Sequence, residues 1–209
     1  RREPVAVHRV RSAARVDGRT EAAGQAASST LAAVLAISCL NLLSGTVVSP
    51  IAPALMHHFM LDSDASLGFM ASSFALGRLC TTSLWPVASD YLGRRRVLVV
   101  AMLGGAAGAA LQGVAVTLRW PFGAFLLARG VAGVFSGVVP VLKACIVDRF
   151  QREDVPKVLA YREAAGTMAF VVGPSIGGVL ALWHFSSPLY FAAASGASAA
   201  LVAACGIPV

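Results

Sequence analysis

The chain has 209 residues, of which 57% are hydrophobic and only 13% are charged, and its mean hydropathy is +0.73. A soluble domain carries roughly twice that density of charge and cannot hide so much apolar surface. The net charge of +7 and the isoelectric point of about 9.9 would suit a nucleic-acid partner, but the basic residues cluster in an N-terminal tail and two linkers, which favours membrane topology instead.

Long stretches without Asp, Glu, Lys or Arg predict an all-α, polytopic membrane helix bundle. One such stretch runs from Ala22 to Leu61 and another from Val97 to Leu118. Because a bilayer-spanning helix needs about 20 apolar residues, we interpret these stretches as membrane spans. We expect six helices, at about Ser29–Leu55, Leu67–Ala88, Val97–Leu118, Pro121–Ile146, Glu163–Leu182 and Pro188–Gly206.

The tail and the loops predict how the chain lies in the membrane. Residues 1–28 are rich in Arg and Ala, so we expect a disordered cytoplasmic tail, with part of a targeting sequence as the alternative. Residues 29–209 form the six-helix unit. Lys and Arg gather in the tail and in the linkers after helices 2 and 4, which places these three segments and the N-terminus in the cytoplasm. Since the chain begins with Arg and stops just after an apolar run, we expect it to be part of a longer protein.

Proline positions predict internal symmetry. Pro50 and Pro53 lie late in helix 1, and Pro140 lies at a similar offset in helix 4. Matching helix breaks in two three-helix halves are typical of transporters built from inverted repeats. We therefore expect two inverted three-helix repeats packed as one bundle.

The linker after helix 2 carries the most specific motif. Asp90 is followed by Gly93, Arg94 and Arg95, directly after an apolar span. An acid at a helix end, a glycine turn and a basic pair can form ion pairs at the membrane surface. A basic membrane anchor with an incidental Asp is the alternative interpretation.

This linker resembles the cytoplasmic signature between helices 2 and 3 of the major facilitator superfamily. The resemblance implies the N-terminal six-helix half of a transporter, with a second, C-terminal six-helix half as its partner. It also implies that Asp90 and Arg94 latch the cytoplasmic gate, with Asp148 at the end of helix 4 as a third charge. Three positions depart from the family pattern, namely Pro86, Ala88 and Tyr91.

Helices 4 and 5 extend the resemblance. Arg129 and Gly133 resemble the family's Arg-x-x-x-Gly motif, which implies a role of Arg129 in proton coupling. Arg129 lies roughly 12 Å into its span, where a cation faces a cavity or a partner unless it snorkels to the surface. Helix 5 resembles the motif of drug:proton antiporters, with an ordinary packing face of small residues as the alternative. Its residues are Gly173, Pro174, Gly177 and Gly178.

Four polar side chains within the spans are candidates for a substrate or coupling cavity: Asn41, Arg78, Arg129 and Lys143. Arg78 lies near the middle of helix 2, and no acid lies at a comparable depth, so its partner is a carbonyl, water, another half or an anionic solute. Asn41 cannot carry a proton, and an interhelical hydrogen bond is its alternative role. Lys143 can also snorkel to the interface.

Stretches of helices 2 and 4 look like the zinc-induced facilitator-like branch of the superfamily.

The motifs together predict a secondary transporter of a small solute that works by alternating access, with proton-coupled antiport implied by the resemblance. The expected partners are the solute, protons, the lipid bilayer and the second half, with no nucleic acid. We expect no enzyme activity, no cofactor and no metal, because Walker, HExxH and GxSxG motifs are missing from the sequence. A transporter-like sensor or scaffold without transport is the alternative.

Overall fold

The computed structural model describes residues 28–60 and 64–207, and all regular structure in these ranges is helical. Apart from Ser28, the predicted tail lies outside the described residues. The described helices form six membrane segments: α1 (Ser28–His58), α2 (Asp64–Thr82, continuing as Leu84–Leu92), α3 (Arg94–Thr117), α4 (Phe122–Phe135, continuing as Val139–Arg149), α5 (Val155–Trp183) and α6 (Ser187–Gly206). The predicted all-α membrane bundle is confirmed.

Composition distinguishes α2 from the other helices. Within the described ranges, α1, α3, α4, α5 and α6 are long and apolar enough to cross a membrane. The two pieces of α2 extend over residues 64–92, or roughly 43 Å at 1.5 Å per residue, which exceeds the thickness of a bilayer core. Its composition is less apolar because it carries Arg78 among several Ser and Thr residues.

The largest difference from the predicted boundaries is at the start of α5. The segment from Asp148 to Arg162 was expected to be a charged linker, but α4 ends at Arg149 and α5 already begins at Val155. Pro156 lies in the first turn of α5, where its missing N–H costs no helical hydrogen bond. The hydrophobic run therefore marks the lipid-embedded part of α5 and underestimates the length of the helix.

Both α1 and α4 are interrupted close to a proline, as the positions of Pro50 and Pro140 suggested. In α1 a short 3-10 helix occupies Ser49–Ile51, and in α4 the helix pauses between Phe135 and Val139. An interruption inside a membrane leaves backbone groups without partners, which costs free energy unless a neighbour supplies a hydrogen bond.

Side chains of α2 donate hydrogen bonds to a carbonyl group that the interruption of α4 leaves without a helical partner. The hydroxyl of Thr81 donates to the carbonyl oxygen of Val134 at 2.7 Å, and the indole N–H of Trp85 donates to the same oxygen at 2.8 Å. Val134 lies in the last turn before the interruption, so its carbonyl is one that the broken helix leaves available. The contact between α2 and α4 thus compensates for the break.

Small residues allow close approach in two helix pairs, α2 with α4 and α1 with α5. On the α2–α4 contact, a Cβ added to Gly77 would collide with the backbone of Gly130, and one added to Gly133 would collide with the carbonyl of Phe74. On the α1–α5 contact, the Thr46 hydroxyl donates to the carbonyl of Ala169 at 3.0 Å. Exchanging the first three helices for the last three maps one contact onto the other, as inverted repeats require.

The glycine motif of α5 lies on this α1–α5 contact. Gly173 and Gly177 are buried, and a Cβ at either position would collide with Thr46 or with the carbonyl of Val47. Gly178 points elsewhere, because nothing lies within 4 Å of a Cβ built on it. The motif therefore contains positions that require glycine and one that does not.

We predict that Gly177→Ala destabilises the protein while Gly178→Ala does not. The methyl group at position 177 forces α1 and α5 apart, and overpacking of this kind costs about 1–3 kcal/mol. At position 178 the methyl has room, and alanine favours a helix over glycine by up to about 1 kcal/mol.

The measurement is the melting temperature of the detergent-solubilised protein. We expect a lower value for Gly177→Ala and an unchanged or higher value for Gly178→Ala. Equal melting temperatures for the two variants would contradict the close approach of α1 and α5.

Candidate functional site: a cavity within the bundle and the Arg94 cluster

A cavity of about 420 Å³ lies within the bundle, and residues of all six helices line it. It is bordered by two apolar clusters, one near the starts of α1 and α3 and one near the starts of α4 and α6. Met102 of the first cluster and Ala109 of the second both line it, so it occupies the middle of the bundle. Its polar lining residues are Asn41, Ser44, Thr46, Ser49, Arg78, Gln112, Arg129 and Ser136.

Arg129 of α4 is bound by two neighbouring helices. Its Nε donates to the carbonyl oxygen of Met70 in α2 at 2.9 Å, and its Nη1 donates to Oε1 of Gln112 in α3 at 3.3 Å. Its guanidinium carbon lies 5.8 Å from the centroid of the Phe74 ring. None of these partners carries a formal charge, so the positive charge of Arg129 is stabilised without being neutralised.

Gln112 is a functional candidate that the sequence reasoning missed. Its side chain is 4% exposed, and its amide nitrogen donates to the carbonyl oxygen of Gly108 at 3.2 Å. That bond orients the amide so that Oε1 is available to Arg129. The signal was present in the sequence, because Gln112 is the amide side chain within the charge-free run from Val97 to Leu118.

Arg78 of α2 lines the same cavity and is exposed. Within residues 28–60 and 64–207 its guanidinium makes neither an ion pair nor a hydrogen bond, in contrast to Arg129. Asn41 of α1, in the same repeat as Arg78, also lines the cavity, whereas Arg129 belongs to the other repeat. The structure therefore brings Asn41, Arg78 and Arg129 to one cavity, although their roles there stay predictions.

Lys143 lies outside the lining of this cavity. Its Nζ forms an ion pair with Oε1 of Glu163 at 3.0 Å, which connects α4 to α5. Oε1 of Glu163 also accepts a hydrogen bond from Nη1 of Arg162 at 2.5 Å, and the Arg162 side chain is buried. Lys143 therefore lies apart from the cavity that Asn41, Arg78 and Arg129 line, paired with an acid of the next helix, and its role in a transport pathway stays a prediction.

A second group of charges, the Arg94 cluster, consists of Ser89, Asp90, Arg94 and Asp148. Arg94 Nη1 lies 2.7 Å from Asp90 Oδ1 and also donates to the Ser89 hydroxyl, while its Nε donates to Asp148 Oδ2 at 3.0 Å. One guanidinium thus joins the end of α2, the start of α3 and the end of α4.

Gly93 makes the Arg94 cluster geometrically possible. Its φ of 91° and ψ of 139° lie in a region that only glycine adopts readily, and it is the single residue between α2 and α3. The abrupt turn brings Arg94 back toward Asp90, four residues earlier. Arg95 is half-buried, and within the described part of the chain it forms no ion pair.

The described residues contain no group of three or more His, Cys, Asp or Glu side chains that could hold a metal ion. The cysteines are free, and Cys145 is buried at the end of α4 near the Arg94 cluster.

We predict that Arg94→Gln increases the reactivity of Cys145, while Arg96→Gln does not. Cys145 is 1% exposed and lies three residues before Asp148, so it reports on the packing at this end of α4. Loss of the two ion pairs costs about 1 kcal/mol because they are partly exposed, which raises labelling by a few-fold. Arg96 is exposed and has the same charge, which makes its variant the matched control.

Labelling with N-ethylmaleimide is measured in a background in which the other three cysteines are replaced by alanine. If Arg94→Gln leaves the labelling rate of Cys145 at the level of Arg96→Gln, the Arg94 cluster does not hold α4 in place.

Comparisons with known proteins agree with this architecture. The family model described as Major Facilitator Superfamily matches residues 34–209. Multidrug resistance protein 1 of Bacillus subtilis is 31% identical over 156 residues, which cover 75% of this chain and 39% of that protein. Protein ZINC INDUCED FACILITATOR-LIKE 1 of Arabidopsis thaliana is 30% identical over 114 residues, covering 54% of this chain and 23% of that protein. The chain thus spans less than half the length of these relatives.

A solved structure shares the fold. The human organic anion transporter MFSD10 (TETRAN) superposes with a TM-score of 0.73 at 22% identity, covering 87% of this chain and 47% of that one. At this identity the likeness concerns the fold alone. Taken with the matched family model and the apolar helices, it shows that the chain is an integral membrane protein of the major facilitator superfamily, a family of transporters.

Proposed function

We propose that this chain forms one half of a secondary transporter that moves a small solute by alternating access. The observation that carries the proposal is the cavity of about 420 Å³, which all six helices line and into which two arginines project from α2 and α4. Charged side chains are expensive at membrane depth and are characteristic of solute and ion pathways. A transport cavity gives both arginines a function that accounts for their cost.

The other wall of the cavity belongs to a second six-helix half in this proposal. Relatives of this chain are more than twice its matched length, which supports such a partner. The Arg94 cluster serves as the latch of the gate on the side of the N-terminus, since it joins three helix ends through partly exposed ion pairs that can break and re-form. The positive-inside distribution of Lys and Arg supports a cytoplasmic position for that side.

Proton-coupled antiport is the coupling mode that we propose. Relatives of this chain include Multidrug resistance protein 1 of Bacillus subtilis and the Quinolone resistance protein NorA of Staphylococcus aureus, which is 25% identical over 151 residues. Efflux against a gradient requires an energy source. Asn41 cannot supply the titrating group, so the proton has to bind elsewhere in the complete transporter.

We predict that filling the cavity abolishes transport. Gly45 lines it, and nothing lies within 4 Å of a Cβ at this position, so Gly45→Trp extends an indole into the cavity without displacing backbone. Gly68→Trp is the matched control, because Gly68 is equally open but lies outside the cavity lining. We expect solute flux to fall at least about tenfold in the first variant, since the indole occupies the volume that a solute needs.

Flux is measured in proteoliposomes of the full-length protein. A quinolone is tested first, and a panel of organic anions, cations and neutral solutes is tested next. Wild-type flux in Gly45→Trp, or no uptake of any solute, would contradict the proposal of transport through this cavity and favour a sensor or scaffold. Flux that does not change with an imposed pH gradient would contradict proton coupling alone.

A further inference from the structure

The cavity wall has a one-sided charge distribution. Arg78 and Arg129 are its charged lining residues among those that the structure describes, and no Asp or Glu lines it. A cleft with low-dielectric walls concentrates the field of such charges and raises the local concentration of ions of the opposite sign by about tenfold or more.

The two arginines differ in what they still have available to bind. Arg129 uses Nε and Nη1 on neutral oxygen atoms of Met70 and Gln112, and it packs near the Phe74 ring. These contacts fix its position and leave its charge in place. Arg129 is therefore a permanent, immobile cation at one side of the cavity, with Gln112 as its positioning residue.

Arg78 has its whole guanidinium available. It is exposed to the cavity, and no partner for it lies within residues 28–60 and 64–207. A planar guanidinium binds carboxylate, sulfonate or phosphate groups through paired hydrogen bonds. Because a charge within the bilayer is costly without a partner, binding such a group is favourable here. The geometry thus supplies a binding donor beside a fixed positive charge.

The remaining lining suits the apolar part of an organic molecule. Phe74, Met102, Phe170 and Leu189 contribute aromatic and aliphatic surface, and the volume of about 420 Å³ falls within the range of small-molecule sites. The charged and the apolar parts of the lining belong to one cavity, so a single ligand can contact both.

We propose that this cavity selects small organic anions, with Arg78 binding the anionic group directly and Arg129 providing the fixed field. This assignment rests on the proposed transport function, because the ligand is taken to be the transported solute. The competing arrangement is an acid from elsewhere in the complete protein that pairs with Arg78 and leaves the cavity neutral.

The test measures the charge preference of the cavity without measuring transport. In the full-length protein without native cysteines, Gly45→Cys places a thiol in the cavity. Its rates of reaction with the anionic 2-sulfonatoethyl and the cationic 2-(trimethylammonio)ethyl methanethiosulfonates are compared. The ratio of the two rates is divided by the ratio for free 2-mercaptoethanol, which removes the intrinsic reactivity of the reagents.

We expect the corrected ratio to favour the anionic reagent by about tenfold or more. Adding Arg78→Gln should reduce the preference several-fold, whereas Arg78→Lys should retain most of it, because lysine keeps the charge. Lys143→Gln is the matched control: it removes one positive charge outside the cavity lining and should leave the ratio unchanged.

Three results would overturn the anion site. A corrected ratio near or below one in the parent protein means that an acid neutralises Arg78. An unchanged ratio in a folded Arg78→Gln variant, or an equal loss in Lys143→Gln, means that Arg78 is not the source of selectivity. Each of these results is compatible with loss of flux in Gly45→Trp, so the anion site can fail while transport stands.

Discussion

Polar groups inside a lipid bilayer have to find partners within the protein, and this constraint governs the whole structure. It accounts for the helical backbone, since helices satisfy their own peptide groups. It also explains why α4 tolerates a pause before Pro140: Thr81 and Trp85 of α2 donate to the Val134 carbonyl. Arg129 obeys the same constraint with a backbone carbonyl and an amide.

The requirement for internal partners also shapes the cavity. Glycines draw α2 onto α4 and α5 onto α1 until backbone atoms touch, which removes space along those two contacts. Space remains where the two repeats face each other, and the described helices surround it. Arg78 lies on this space with no protein partner among the described residues, in an environment where a water molecule or a solute can replace the missing contact.

Fold and motif could be predicted because they depend on local sequence. Apolar runs set the membrane helices, and the turn at Gly93 places Arg94 near Asp90 whatever the rest of the chain does. Partners that come from distant segments could not be predicted from local sequence, and the pairing of Asp148 with Arg94 was expected only from the family resemblance. Lys143 binds Glu163, and Arg129 binds Gln112, because helix packing brings together residues far apart in sequence. The early start of α5 at Val155 was missed because hydropathy marks lipid contact rather than helix length.

We expect Arg78 to face an aqueous cavity within the membrane rather than lipid. The most direct test labels single cysteines at positions 78 and 127 of the cysteine-free, full-length protein in native membranes with a membrane-impermeant maleimide. Leu127 is 74% exposed on α4 but lies outside the cavity lining, so it serves as the control position that water in the cavity does not reach. The account predicts that Arg78→Cys reacts from the water phase and Leu127→Cys does not. A cysteine at position 78 that stays unreactive, or reacts no faster than one at 127, would contradict it.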